Sequence, residues 1–167
     1  MPALVAPTTR LHRAWLDAYT EWGPGRHEDG FGLDPADEVT SPAGFAAFVS
    51  RLARDGDVRY RWLVEDGTVL GGIALRHADD EYTHWAGHLG FGIRPTARGR
   101  GLATWALTRM LDEARALGLD RVLLLCDPAN TASAKTIQRA GGVCEQTTTT
   151  RHGPVRRFWI DLSKPDI

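Results

Sequence analysis

No run among the 167 residues approaches the roughly 20 consecutive apolar positions that a membrane-spanning helix needs, which points to a soluble globular chain. Cysteine is scarce. Cys126 and Cys144 are the only two, both in apolar surroundings, and the opening MPALVAPTTR lacks the charged, apolar and small-residue order of a signal peptide. A reduced, cytoplasmic protein is the expectation. A dominant charge is missing as well: 20 Lys and Arg stand against 21 Asp and Glu, a net charge of −1, and the basic residues are dispersed. Nucleic acid and membrane are therefore not expected as partners, and any anion must be bound locally. There is no internal repeat and no low-complexity tail. Three further absences narrow the chemistry. Without G-x-x-x-x-G-K-[S/T] a P-loop hydrolase is disfavoured, without G-x-G-x-x-G and a following acidic residue a dinucleotide fold is disfavoured, and no G-x-S-x-G hydrolase elbow occurs.

What is present fits one domain over residues 1–167, long enough to bury about 70% of its unfolded surface. A short strand within Pro2 to Thr8 opens the chain. Thr9 to Glu21 puts Leu11, Ala14, Trp15, Ala18 and Tyr19 on one helical face, and Pro42 to Arg54 forms a second helix behind Ser41. Residues 58–78 alternate polar and apolar on both sides of Asp66-Gly67, a hairpin turn signal, and GHLGFGIRP reads as another strand. A helix from about Gly101 to Leu117 stops at Gly118. DRVLLLCD has the continuous apolar character of a buried strand, NTASAKTIQRAGG is a helix capped by Asn130, and two late strands join near Gly153-Pro154. The result is an α/β domain with a mixed sheet.

The informative stretch is IRPTARGRGLAT, Ile93 to Thr104, between the strand and the Gly101–Leu117 helix. Arg98 to Ala103 fit [R/Q]-x-x-G-x-[G/A]. Gly99 and Gly101 remove side chains where a pyrophosphate would sit, the amides of about Gly99 to Thr104 point at it, and the helix dipole adds positive charge. Arg98 and Arg100 add fixed charge. The plain alternative is a glycine-rich turn with solvated arginines.

With GHLGFGIRPTARGRGLAT, GLDRVLLLCDPANTASAKTIQRAGGV and the late RRFWI in view, the chain resembles the GNAT superfamily of acyl-CoA-dependent N-acetyltransferases, and within it a bacterial subgroup of predicted acetyltransferases. The resemblance implies a mixed, mostly antiparallel sheet of about six to seven strands flanked by helices, with splayed central strands. It implies acetyl-CoA as co-substrate, a primary amine as acceptor and direct attack through a tetrahedral intermediate, in a monomer or homodimer. By the same resemblance Arg98, Gly99, Arg100, Gly101, Leu102, Ala103 and Thr104 wrap the pyrophosphate. Main-chain groups of Phe91 and Ile93 pair with the pantetheine arm, and the Phe91 amide faces the thioester oxygen. Asn130 matches the family asparagine that contacts pantetheine, or it is a helix cap alone.

One position departs from the family. Many members carry a tyrosine seven residues after the asparagine to protonate the leaving thiolate, where this chain has Ile137. Ser133, one helical turn after Asn130, is the substitute donor, and a thiolate is a tolerable leaving group near neutral pH. The ammonium of the acceptor must lose a proton before attack, and His88 and Asp127 are the two candidate bases. Trp22 to Pro35 is the expected acceptor wall: Glu28 and Asp29 attract a cationic amine, and Trp22 and Phe31 pack on its body. An interhelical linker is the alternative. No metal is expected, because His84 and His88 on one strand would lie about 13 Å apart. Two other readings stay open: a non-catalytic, CoA-binding module acting as sensor or partner-binding protein, and transfer of a longer acyl group.

Overall fold

The computed structural model describes residues 1–23, 31–150 and 153–163. Seven strands join in the order β1-β2-β3-β4-β5-β7-β6. They are β1 (Ala3–Val5), β2 (Val58–Glu65), β3 (Thr68–Arg76), β4 (Leu89–Ile93), β5 (Arg121–Cys126), β6 (Val143–Thr150) and β7 (Gly153–Asp161). The helices are α1 (His12–Trp22), α2 (Pro42–Arg54), α3 (Glu81–Ala86), α4 (Leu102–Ala116) and α5 (Thr131–Arg139). The chain divides into two compact units, Met1–Ala74 with Phe91–Leu102, and Leu75–Gly90 with Ala103–Ile167.

In the first unit, β1 pairs antiparallel with β2, Leu4 opposite Leu63. A single turn of 3-10 helix, Thr9–Leu11, precedes α1 where the sequence suggests a continuous helix. Helix α2 starts where its signals say: the Ser41 side chain accepts the Gly44 N–H at 3.0 Å, and Pro42 follows at the first helical position, where its missing N–H costs nothing. The β2–β3 hairpin turns through Asp66 (φ 52°) and Gly67 (φ 75°), the two positive φ values that a type I′ turn demands. Trp15, Phe31, Phe45, Phe48, Leu52 and Trp62 form the buried centre of this unit. The five aromatic rings among them meet at 5.3 to 6.5 Å, tilted or edge-on, as aromatic quadrupoles prefer.

In the second unit, Val122, Leu123 and Leu124 of β5 are fully buried, as an apolar run of that length requires. Strand β5 runs antiparallel to β7, and β7 to β6. Its pairing with β4 is parallel, with Leu89 opposite Leu124 the one register pair among the described residues. Helix α4 ends in a Schellman closure: Leu119 N–H donates to Ala114 O, Gly118 N–H donates to Arg115 O, and Gly118 takes φ 86°.

Two expectations change. The segment leading into β4 is helical over residues 81–86, with the Asp80 side chain accepting the Thr83 N–H. His84 is therefore helical and His88 lies just before β4, so the common-strand spacing assumed for the two does not apply. Strands β6 and β7 are the antiparallel pair expected of the two late strands, with Thr150 opposite Gly153 and Thr149 opposite Pro154.

Candidate active site

The loop between β4 and α4 is built on two left-handed residues. Gly99 has φ 82° and Gly101 φ 74°, values that an L side chain reaches only with strain, and no atom lies within 4 Å of where a Cβ would stand on either. The loop thus presents bare backbone to open space. Helix α4 begins immediately after it at Leu102 and runs fifteen residues. The first four N–H groups of such a helix have no intrahelical partner and carry the positive end of its dipole. Bare backbone, open space and a helix start in succession are what an anion such as a pyrophosphate needs.

The arginines nearby act differently from the plain reading of charge. Arg98 turns back, its Nε donating to Ile93 O at 2.9 Å, which closes the loop onto the end of β4. Arg100, half-exposed, pairs with Glu65 at 2.8 Å, and that hydrogen bond holds the Glu65 carboxyl below the usual range. Arg94, outside the motif, donates to Val69 O and to Glu21 Oε1 at 3.1 Å. Glu21 also takes the Thr96 N–H at 3.1 Å and the Thr96 hydroxyl at 2.7 Å. One carboxylate at the end of α1 therefore clamps the segment leading into the loop. The Arg94 hydrogen bond is the main reason that its pKa falls to about 2. No sequence signal marks this clamp, because Glu21 meets Arg94 across 73 residues.

Glu21→Gln keeps the size of the side chain and removes the charge. Affinity for the coenzyme A that the resemblance implies should fall about threefold to tenfold, since a hydrogen bond to a charged group contributes more than one to its neutral counterpart. The pH dependence has a definite sign. The folded value of about 2 lies below the ordinary 4.5, so the carboxylate's contribution to stability is present above about pH 4.5 and is lost as pH falls toward 2. Thermal unfolding midpoints measured down that range should decline less steeply in the variant than in the parent.

Strand β4 carries Phe91, half-buried, and Ile93, buried, so their main-chain groups and not their side chains are what a ligand could use. His88 precedes the strand. Its Nδ1 accepts the Leu123 N–H at 2.9 Å, and burial pushes its pKa below the usual histidine value. Asp127 follows β5, is exposed, and accepts the Ala129 N–H on Oδ1 at 2.8 Å. Asn130 caps α5 through Oδ1, which takes the Ser133 N–H at 3.1 Å and leaves the amide NH2 available. The half-buried Ser133 hydroxyl has no hydrogen-bond partner among the described residues. Ile137, one turn further on, is fully buried, so the position of the family tyrosine is packed into the core of the second unit.

Of the acceptor-wall residues, Trp22 and Phe31 come together edge-to-face at 4.9 Å. Phe31 is also packed edge-on to Trp15 and is only 5% exposed, so it serves the core first. Together with Trp15, Tyr19 and Leu33 the pair lines a cavity with room for about one water molecule. Glu28 and Asp29 lie outside the described residues.

Comparison with known proteins assigns the class. The family model described as acetyltransferase (GNAT) domain matches residues 10–143. The chain belongs to this family of acetyltransferases, whose members use acetyl-CoA as co-substrate. Solved structures agree on the fold. A dodecameric spermidine N-acetyltransferase from Vibrio cholerae superposes with a TM-score of 0.71 at 19% identity, covering 98% of this chain and 95% of that one. The acetyltransferase that modifies the N-terminal serine of ribosomal protein L7/L12 in Salmonella typhimurium reaches 0.71 at 14% identity, covering 96% and 94%. A GNAT-family acetyltransferase from Streptococcus pneumoniae reaches 0.68 at 16%, covering 95% and 98%. No curated protein matches the chain significantly in sequence. Among the described residues no helix is long and apolar enough to cross a membrane.

Proposed function

We propose that this chain is a cytoplasmic acetyltransferase that moves an acetyl group from acetyl-CoA to the primary amine of a small molecule, with no metal. The observation that carries the reading is the pair of open, left-handed glycines at 99 and 101, tethered by Arg98 and led in by the Glu21 clamp, directly ahead of α4. In this reading the main-chain N–H groups of Gly99 to Thr104 hold the pyrophosphate, while the Arg98 N–H is spent on Pro95 O. Main-chain groups of Phe91 and Ile93 pair with the pantetheine arm, and the Asn130 amide supports it. The amine lone pair attacks the thioester carbonyl carbon, the Phe91 N–H stabilises the oxyanion, and the C–S bond then breaks with its electron pair leaving on sulfur. The Ser133 hydroxyl donates a hydrogen bond to the thiolate, and the second proton of the attacking nitrogen passes to that sulfur, through the hydroxyl or water, as the C–S bond breaks. Asp127 takes the ammonium proton, directly or through water, because it keeps unengaged carboxylate lone pairs whereas His88 does not.

The test is release of free thiol from acetyl-CoA with a panel of polyamines, amino-acid derivatives, aminoglycosides and a peptide amine. Release that depends on both enzyme and amine supports the proposal. A second reading, a CoA-binding module without catalysis, draws on the fully buried Ile137 in place of an acid. Coenzyme A binding with no amine-dependent release across the panel would favour it.

A further inference from the structure

We infer that His88 is a positioning residue that staples the start of β4 to β5 through its Nδ1, and is not the base of the reaction. His88 and Leu123 are joined twice: the His88 N–H donates to Leu123 O at 2.7 Å, and the Leu123 N–H donates to His88 Nδ1 at 2.9 Å. The histidine carbonyl in turn accepts the Arg76 N–H at 2.6 Å. Three bonds to one residue thus fix the point where β4 begins. Leu123 is fully buried in the middle of β5, and without the ring its amide would be a buried donor with no acceptor.

The chemistry of the ring decides between staple and base. A neutral imidazole has one in-plane lone pair and one N–H. With the lone pair of Nδ1 aimed at the Leu123 N–H, the hydrogen must sit on Nε2. The ring can then donate from Nε2 but has no lone pair left with which to take a proton from an ammonium. Protonating it would set two N–H groups against each other and break the staple. The surroundings keep it neutral: half-burial acts first, and the charges facing the ring are His84, Arg121 and Arg76, which oppose protonation, and Asp79, which favours it from its pairing with His84 at 3.0 Å. Trp159 of β7 adds an uncharged ring at 6.4 Å.

The consequence for function rests on the acetyltransferase reading, because Phe91 and Ile93 follow His88 on the same strand. Fixing its start fixes the main-chain groups proposed to pair with pantetheine. The experiment compares the parent with His88→Ala, His88→Asn and His88→Gln by coenzyme A calorimetry and thermal unfolding at about pH 7.5 and about pH 5.5, the range in which histidine titrates. Nitrogen NMR of the parent reads the tautomer. Asparagine places its Oδ1 where Nδ1 stands and cannot titrate, whereas the glutamine oxygen reaches only the Nε2 position. The expected results are an Nε2–H tautomer, coenzyme A affinity about tenfold weaker in His88→Ala and His88→Gln, and affinity within about twofold of the parent in His88→Asn. The parent should lose stability as pH falls below about 6.5, since its folded histidine pKa is depressed, and His88→Asn should lose less. An Nδ1–H tautomer, or equal affinity and stability in all four proteins, overturns the inference. If the parent binds no coenzyme A, the acetyltransferase reading fails, and tautomer and melting behaviour still decide the staple.

Discussion

Gly101→Asp is expected to abolish coenzyme A binding while leaving a folded protein. The residue has φ 74°, so any side chain adds backbone strain of about 1–2 kcal/mol. No protein atom lies within 4 Å of the new Cβ, and folding should therefore survive. Binding should not. The carboxylate would project from bare backbone into the space where a doubly charged pyrophosphate is to sit, and like charges at such range oppose one another strongly in a partly desolvated site. Gly101→Ala separates the two contributions, because it carries the strain without the charge. Calorimetry should show affinity reduced about tenfold or less in the alanine variant and no measurable binding in the aspartate variant. Equal affinity in Gly101→Asp and the parent would remove the pyrophosphate from this loop.

Gly87→Ala should be among the most destabilising single changes in the second unit. Gly87 has φ 87°, and a Cβ there would stand 2.9 Å from the Leu123 carbonyl oxygen, a backbone atom that cannot swing aside. Strain and collision add, and together they should cost about 2–4 kcal/mol. The same carbonyl receives the His88 N–H, so the collision falls on the pair of hydrogen bonds between His88 and Leu123 that starts β4. Gly67→Ala is the comparison: its φ of 75° is also positive but no atom lies within 4 Å of the added carbon, whereas Gly87, with ψ 168°, sits in a backbone region that is almost exclusively glycine and is crowded as well. Denaturant unfolding should show a loss of about 1–2 kcal/mol at Gly67 and at least twice that at Gly87. Similar losses at both positions would mean that the close approach to Leu123 relaxes freely.

These glycines also show what is legible in the chain. A residue whose conformation is set by its own chemistry can be read locally: the Asp66-Gly67 turn, the Ser41-Pro42 helix start, the Gly118 stop and the glycines of the loop are all where the sequence suggests. Periodicity succeeds over long elements such as α4 and fails over short ones. Helix α3 has six residues, fewer than two turns, so no apolar stripe can establish itself, and its only local signs are Asp80 before it and Gly87 after it. What cannot be read is which distant partner a polar side chain finds. The charge of Arg98 and Arg100 is plain in the motif, but that one is tied to Ile93 O and the other balanced by Glu65 is a fact of folding. Likewise Glu21 gives no hint of the loop it clamps, and His88 looks like a base until Leu123, thirty-five residues away, occupies its lone pair.

The most direct test of the account is where the acetyl group goes. The protein is incubated with acetyl-CoA carrying an isotopically labelled acetyl group together with the amine panel, and both the amines and the intact protein are weighed by mass spectrometry. Direct transfer predicts an amine heavier by one labelled acetyl group, formed only when enzyme is present, and a protein whose mass stays that of the unmodified chain throughout turnover. Label that accumulates on the protein before reaching the amine, or acetyl-CoA that is bound and returned intact with every amine unlabelled, would contradict it.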